Sequence, residues 1–263
     1  MMKYLKFSTD SRGVCELVLN RPEIHNAFDE VLIGELTQFF EEANKNNEIQ
    51  LVILSGEGRS FCAGADLNWM KKMVNYTQEE NYNDSKDLAG MLETMNRFSK
   101  PLIGHIDGAV MGGGVGLSSV CDFVVATERS FFALSEVNLG ILPAVISPYV
   151  INKIGESQAR RYFLSGERFY ANRAQEIGLV HEVAADENAS REMVSKYVDE
   201  LLKSGPRARL MAKELVHQIC HEGKNNQEKM NYTCELISSV RTSEEGQEGM
   251  SSLLEKRKPN WIK

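Results

Sequence analysis

Three consecutive glycines, at positions 112 to 114, are the first feature of the chain that could do chemistry. An apolar segment, Leu102 to Ile106, precedes them, and a small-residue stretch of helical character, Leu117 to Val120, follows. A strand that leads through glycines into a helix leaves backbone N–H groups free at the positive end of the helix dipole. Glu136 lies further along among apolar neighbours, which favour its protonated form. Anion-stabilising N–H groups near an acid–base carboxylate outline an active site.

A second loop of small residues follows another apolar run. Leu51 to Leu54 is fully apolar and of strand length, as in a strand buried on both faces, and Ala63-Gly64 comes shortly after it. Parallel strands end at the same edge of a sheet, so one N–H from each loop could meet at a single oxygen. Such a pair of backbone donors would form an oxyanion hole. The alternative is that the glycines only allow tight packing.

Common nucleotide, metal and nucleophile motifs are absent from the sequence. The dinucleotide fingerprint G-x-G-x-x-G fails because its third glycine would fall at Leu117, Ser118 or Ser119, and no G-K-[ST] marks a phosphate-binding loop. The five histidines are dispersed, and neither H-E-x-x-H nor a cysteine–histidine set is present, so we expect no metal. No G-x-S-x-G marks a hydrolase nucleophile.

The elements around the two loops alternate between strand and helix. Asp29 can cap a helix that runs to about Asn44, with apolar residues at helical spacing. Short strands are predicted at Tyr4 to Ser8, Val14 to Leu19, Leu51 to Leu54 and Leu102 to Ile106. This alternation predicts a layered α/β fold with parallel strands.

Two stretches depart from the alternation. Asn75 to Asp87 is polar and charged, which predicts a mobile surface segment before an amphipathic helix at Leu88 to Phe98. Beyond Gly155 the pattern becomes almost wholly helical. The candidate helices are Ala171 to Ile177, Glu187 to Lys203, Pro206 to Cys220, Gln227 to Val240 and Glu244 to Lys256.

Length and composition narrow the class of protein. The chain has 263 residues, 42% of them hydrophobic and 25% charged, as is ordinary for a globular chain with a sizeable core. A net charge of −7 argues against nucleic-acid binding, because phosphate binding needs a basic surface. No apolar run is long enough to span a membrane and the N-terminus lacks the apolar core of a signal peptide, so we expect a cytoplasmic protein. The odd number of scattered cysteines fits reduced thiols.

The residues resemble the crotonase, or enoyl-CoA hydratase/isomerase, superfamily along essentially the whole chain. The resemblance is carried by Asn20-Arg21-Pro22 with Asn26-Ala27, Phe61-Cys-Ala-Gly-Ala-Asp-Leu, Asp107-Gly-Ala-Val-Met-Gly-Gly-Gly, and the tail from Gly249 to Pro259. It implies a spiral of ββα units over residues 1–200 and a helical oligomerisation region over residues 201–263. It also implies an acyl-CoA thioester as substrate and assembly as a homotrimer or a dimer of trimers.

The resemblance also assigns roles to single residues. The N–H groups of Ala63 and Gly113 would hold the thioester oxygen, and Glu136 matches the second catalytic glutamate of the family. Coenzyme A, as part of the substrate rather than a separate cofactor, would contact the first loop and a lysine from a neighbouring subunit. The residues expected around it are Cys62, Ala63, Gly64, Ala65, Asp66, Leu67 and Lys256.

The sequence departs from the family pattern at Gly116, where hydratases with two glutamates carry the first one. Many isomerases of the family use one glutamate, since a single carboxylate can move a proton between two carbons. The run Ser135 to Val150, with Pro143-Ala-Val-Ile-Ser-Pro in place of a glycine-rich turn, is similar to the methylglutaconyl-CoA hydratase subgroup of leucine or isoprenoid breakdown. We therefore expect hydration of 3-methylglutaconyl-CoA or a similar branched ester.

Two alternatives to this hydratase remain open. The first is an enoyl-CoA isomerase that uses Glu136 alone, which Gly116 favours. The second is a non-catalytic acyl-CoA-binding or RNA-associated protein, which the retained Glu136 and the acidic net charge disfavour.

Structural rather than chemical roles are predicted for four other residues. Asp122 is expected to anchor a buried turn, and His105 to lie at a strand end. Asp66 is expected to orient the first loop through hydrogen bonds to the backbone, and Cys62 to serve as a small packing residue beside it.

Overall fold

The structure is a computed structural model that describes residues 2–262. The chain forms two compact units. The first comprises the chain up to Phe98 together with Leu102–Val194, and the second comprises Ser99–Pro101 together with the chain from Ser195 onward. The units divide within the helix Glu187–Lys203.

Strands and helices alternate through the first unit. Within residues 2–262 the strands are β1 (Leu5–Thr9), β2 (Val14–Leu19), β3 (Leu51–Gly56), β4 (Ser60–Cys62), β5 (Leu102–Ile106), β6 (Ala109–Met111), β7 (Phe123–Thr127), β8 (Phe131–Ala133), β9 (Arg168–Tyr170) and β10 (Glu182–Ala184). The helices are α1 (Glu30–Lys45), α2 (Leu67–Met73), α3 (Gln78–Asn96), α4 (Gly113–Ser119), α5 (Ser147–Ser165), α6 (Ala171–Glu176), α7 (Glu187–Lys203), α8 (Pro206–His221), α9 (Asn226–Thr242) and α10 (Glu244–Leu254).

The strands form two sheets that repeat a ββα unit. The larger sheet has the order β1-β2-β3-β5-β7-β10, and every pair except β1–β2 is parallel. The smaller sheet has the order β4-β6-β8-β9, with parallel pairs except β8–β9. The chain passes from the larger to the smaller sheet and into a helix in β3-β4-α2, β5-β6-α4 and β7-β8-α5. The predicted α/β spiral with parallel strands is confirmed.

Helix α1 is the best-predicted element. Asp29 caps it, since a side-chain oxygen accepts a hydrogen bond from the N–H of Leu32 at 2.9 Å. Its apolar residues at helical spacing are buried against the sheet core, as expected. Strand β5 is buried at all five positions, as the apolar run predicts for a central parallel strand.

The prediction of a mobile surface segment at 75–87 is wrong, because most of these residues belong to helix α3. Thr77 and Glu80 form a capping box in which the side chain of each accepts a hydrogen bond from the backbone N–H of the other. Asp84 accepts a hydrogen bond from the indole Nε1 of buried Trp69 at 2.9 Å. These polar contacts stabilise the first half of α3, where the sequence lacks apolar residues at helical spacing.

The region beyond Gly155 is less purely helical than predicted. Strands β9 and β10 add to the two sheets, and both are only three residues long. Helix α5 is broken at Gly155, whose φ of 73° is favoured by glycine. The second unit contains α8, α9 and α10, close to the predicted boundaries. No helix within residues 2–262 combines the length and apolar content that crossing a membrane requires.

Candidate active site

The first loop, residues 63–66, follows β4 and is held by backbone hydrogen bonds to the segment before α1. Ala63 donates its N–H to the carbonyl oxygen of His25 at 3.0 Å. Phe28 donates to the carbonyl oxygen of Gly64 at 2.7 Å and accepts from the N–H of Asp66 at 2.8 Å. Ala65, between them, finds no acceptor for its N–H within residues 2–262.

The second loop is the turn at Gly112, where β6 passes into α4. Gly112 has a φ of 49° and donates its N–H to the carbonyl oxygen of Ala133 at 2.9 Å. Gly113 is the first residue of α4, and its N–H likewise has no acceptor within the described part of the chain. The N–H groups of a first helical turn lack partners inside the helix, so this donor is available to a ligand.

The two loops pack backbone against backbone. A Cβ placed on Gly64 would lie 3.1 Å from the carbonyl oxygen of Met111, and one placed on Gly114 would lie 2.5 Å from that of Cys62. Any larger residue at Gly114 would therefore force the loops apart. The small residues noted in the sequence bring the loops together, as the parallel arrangement predicts.

This geometry corrects the donor expected from the first loop. The N–H of Ala63 is already committed to His25, and a donor in a backbone hydrogen bond is not free to bind a thioester oxygen. The free N–H belongs to Ala65, which the sequence analysis places only among the coenzyme A contacts. The pair of unengaged donors is therefore Ala65 and Gly113.

Glu136 lies in a short 3-10 turn, Ser135–Leu139, directly after β8. Its Oε1 lies 3.0 Å from where a Cβ on Gly112 would be, so the carboxyl group faces the turn that carries the Gly113 donor. Its Oε2 is buried and has no hydrogen-bond partner within residues 2–262. Burial raises the pKa of Glu136, because the charged form is poorly solvated there. A buried carboxyl oxygen without a partner is suited to exchanging a proton with a ligand.

The space beside Gly116 is filled by apolar side chains. A Cβ on Gly116 would lie 2.4 Å from Cγ2 of Ile146 and 3.7 Å from Cδ1 of Leu92. Ile146 is buried and belongs to the segment that departs from the family's glycine-rich turn. A glutamate at position 116 would collide with this packing, so the surroundings of position 116 are apolar rather than acidic.

A buried ion-pair network holds the first loop, and the sequence analysis misses its central residue, Arg21. Its Nη2 lies 2.9 Å from Oδ2 of Asp29 and 3.0 Å from Oδ2 of Asp66. The other oxygen of Asp66 accepts the N–H of Asn68 at 2.7 Å and caps α2. Asp66 therefore orients the loop through a hydrogen bond to the backbone, as predicted, and also through an ion pair with Arg21, which was not predicted. The run Asn20-Arg21-Pro22 marks the position of Arg21 but not its role.

The remaining predicted residues are also placed by the structure. Burial raises the pKa of the Cys62 thiol to about 12, which makes it a poor nucleophile. Asp122 accepts the N–H of Leu102 at 2.8 Å, and buried His105 contacts the Ser190 hydroxyl at 2.7 Å. Both contacts are structural, as expected.

Two residues predicted to contact coenzyme A are exposed. Leu67 begins α2 directly after the first loop, and Lys256 follows α10 in the second unit. Their contacts with coenzyme A stay predictions. Within residues 2–262, no three His, Cys, Asp or Glu side chains are grouped in a way that could bind a metal ion.

Comparison with known proteins identifies the family of the chain. A family model described as enoyl-CoA hydratase/isomerase matches residues 9–263. The chain belongs to the enoyl-CoA hydratase/isomerase family. Its crotonase fold is matched by the crystal structure of an enoyl-CoA hydratase from Shewanella pealeana. That protein is 40% identical, has a TM-score of 0.93, and the match covers 99% of this chain and 96% of that one.

Relatives within the family carry the names of two kinds of enzyme. A 2,3-dehydroadipyl-CoA hydratase of Escherichia coli is 32% identical, and the match covers 93% of each protein. A trans-2-decenoyl-[acyl-carrier-protein] isomerase of Streptococcus mutans is 26% identical, over 98% of each protein. The family acts on acyl-CoA thioesters, so this chain is an enzyme of enoyl-CoA chemistry. Hydration and isomerisation must be distinguished at the site itself.

Proposed function

We propose that the protein adds water across the double bond of an enoyl-CoA thioester, and that 3-methylglutaconyl-CoA or a similar branched ester is its substrate. The observation that carries the proposal is the position of Glu136. Its carboxyl group, with an unpartnered buried oxygen, faces the turn whose next residue is the free donor Gly113. Proton transfer and charge stabilisation can therefore act on the same ligand.

In the proposed reaction, backbone N–H groups stabilise the developing charge and the carboxylate of Glu136 transfers the proton. As the oxygen of water adds to the β-carbon, Glu136 accepts a proton from that water, and the π electrons move onto the thioester oxygen. The N–H groups of Ala65 and Gly113 stabilise the resulting enolate, and one such donor is typically worth about 3 kcal/mol. Glu136 then returns the proton to the α-carbon. One carboxyl group thus completes the addition, and its raised pKa suits a group that both accepts and donates.

The acyl group is proposed from the segment around Glu136. Residues 135–150 resemble the methylglutaconyl-CoA hydratase subgroup, and they supply the Ile146 side chain that packs against Gly116. The hydratase of Escherichia coli is named for 2,3-dehydroadipyl-CoA, which is also an ester of a dicarboxylic acid. Both likenesses support a substrate with a second carboxylate.

The coenzyme A portion of the substrate is proposed to bind at the first loop, where Leu67 is exposed. A homotrimer or a dimer of trimers is proposed as the assembly, in which Lys256 of a neighbouring subunit also contacts coenzyme A. Asp66 supports the shape of this loop and offers no free polar group, because its carboxylate is committed to Arg21 and to the cap of α2, and its N–H to the carbonyl oxygen of Phe28. The expected place of action is the cytoplasm.

Isomerisation is the second candidate, and the apolar wall at Gly116 favours it. Gly116 has no carboxylate with which to hold a water molecule by charge, and Ile146 and Leu92 are the side chains nearest to it. Glu136 alone could remove a proton from C2 of a 3-enoyl ester and deliver it to C4. The electrons would pass through the same enolate at Ala65 and Gly113.

Product mass separates the two functions. The enzyme would be incubated with 3-methylglutaconyl-CoA, crotonyl-CoA and a 3-enoyl-CoA, and each product analysed by mass spectrometry. Hydration predicts that the glutaconyl ester gains the mass of one water, with weak action on crotonyl-CoA. A product of unchanged mass from the 3-enoyl ester, with no hydration of any ester, would make the protein an isomerase. Binding without turnover of any ester would indicate the non-catalytic alternative.

A further inference from the structure

Phe28 contacts both loops of the site, although it contributes no reacting group. Its peptide groups bond to the residues on either side of Ala65, because its N–H donates to Gly64 and its carbonyl accepts from Asp66. The two segments pair at Phe28 and Ala65 as a single parallel bridge. The direction of the Ala65 N–H is therefore set relative to the backbone of Phe28.

The ring of Phe28 packs against the other donor. A Cβ on Gly113 would lie 2.8 Å from Cε2 and 3.0 Å from Cδ2 of this ring. The side chain is 1% exposed and cannot turn away without opening the core. The α-carbon of Gly113 thus rests on a rigid aromatic surface.

Arg21 holds the residues on both sides of Phe28. Its Nη1 donates to the carbonyl oxygen of Ala27 at 2.7 Å, and its Nη2 pairs with Asp29. The same guanidinium group reaches Asp66, next to Ala65. Backbone hydrogen bonds, ring packing and the contacts of Arg21 therefore all connect Phe28 or its neighbours to residues that carry or flank the two donors.

We infer that Phe28 is a positioning residue that sets the separation between the N–H groups of Ala65 and Gly113. This inference rests on the proposed function, in which those two donors bind the enolate oxygen. A displacement of about 1 Å between catalytic groups can cost roughly a hundredfold in rate. A smaller side chain at position 28 would let Gly113 settle toward the first loop and misplace one donor.

The test compares Phe28→Leu with Phe40→Leu. Phe40 is also fully buried, but it packs in α1 against Phe39 and Phe98. Both variants should lose a similar amount of thermal stability. Only Phe28→Leu should lower kcat, by about tenfold to a hundredfold, with little change in KM.

A spectroscopic measurement separates positioning from loss of packing. Acetoacetyl-CoA has an enolate that absorbs in the near ultraviolet, so a pH titration of the bound ligand gives the pKa of its enolisation. The wild-type enzyme and Phe40→Leu should lower that pKa below its value in water. In Phe28→Leu the enolisation pKa of the bound acetoacetyl-CoA should be higher than in the wild type, which corresponds to an enolisation constant about tenfold smaller.

The possible failures point to different conclusions. A wild-type enzyme that leaves the enolisation of acetoacetyl-CoA unchanged would overturn the proposed oxyanion hole itself. If the wild type favours the enolate and Phe28→Leu does so equally, or if Phe40→Leu loses as much kcat, the positioning role is refuted while the proposed function stands. If Phe28→Leu does not fold, Phe28→Met, which retains more of the buried volume, is compared in the same way.

Discussion

At the scale of single residues, the site depends on which polar groups remain free. Ala63 and Asp66 lie in the motif that marks the family, yet both are occupied by His25, Arg21 and the cap of α2. Ala65 offers an unengaged N–H, and Glu136 offers an unengaged buried oxygen. Groups without partners inside the protein are available to a substrate.

Burial of Glu136 makes stability depend on pH in a defined direction. Its pKa is raised in the folded protein, so the folded state favours the protonated form. The stability that this contributes is complete below the pKa of the unfolded chain and is lost as pH rises through the folded pKa. Glu136→Gln should therefore raise the melting temperature at neutral pH, and the gain should shrink as the solution is acidified.

Melting curves from acidic to neutral pH test this expectation. Glu41→Gln, which changes an exposed carboxylate on α1, is the matched control and should show no comparable gain. A Glu136→Gln variant that melts below the wild type at neutral pH would show that the charged carboxylate is stabilised rather than penalised by its surroundings.

At the scale of elements, the contact between α4 and the segment before α5 determines the apolar surroundings of Gly116. Gly116→Ala should lower the free energy of unfolding by about 1–3 kcal/mol, because the new methyl group meets Ile146. The double variant combines Gly116→Ala with Ile146→Ala. Its loss of unfolding free energy should be smaller than the sum of the losses in the two single variants, because the smaller side chain at position 146 leaves room for the methyl group at position 116.

Urea unfolding of the four proteins of this cycle provides the measurement. Gly90→Ala is the control, because a Cβ there meets nothing within 4 Å and lies within α3. It should be neutral or stabilising by up to about 1 kcal/mol. Additive losses at Gly116 and Ile146 would mean that the two side chains do not compete for one space.

The ion-pair network joins the caps of two helices to the first loop. Arg21→Met would leave Asp29 and Asp66 buried without their cation, and should cost about 3–5 kcal/mol of unfolding free energy. Arg160→Met removes an exposed i,i+4 pair with Glu156 and should cost less than about 1 kcal/mol. Equal losses in chemical denaturation would show that the buried network does not hold the loop.

Much of the fold follows from periodicity, and less of the site does. The buried strands, α1 and the two small-residue loops can be predicted because burial and helical spacing leave local patterns. The first half of α3 could not be predicted, since a capping box and the Trp69–Asp84 contact stabilise it rather than an apolar stripe. The free donor Ala65 and the side chain that fills the space at Gly116 depend on contacts between distant segments, which leave no local signal.

At the scale of the whole molecule, the fold explains how distant segments meet. Parallel strands β3 and β5 carry the chain to one edge of the larger sheet, and β4 and β6 then bring the two loops into contact. Relatives in the family are named as a hydratase and as an isomerase, so membership of the family does not by itself select the reaction. Under the proposed function, Glu136 and the apolar surroundings of Gly116 make that selection.

The proposed function requires Glu136 alone to perform the proton transfer of hydration. The most direct measurement is turnover of 3-methylglutaconyl-CoA by the wild type and by Glu136→Gln, followed as loss of the conjugated thioester absorbance, with Glu41→Gln as control. We predict a hydrated product from the wild type and the control, and a rate lower by about a hundredfold or more in Glu136→Gln, which still binds the ester. Equal turnover by Glu136→Gln would remove Glu136 from the mechanism and would refute the proposed role of this carboxylate.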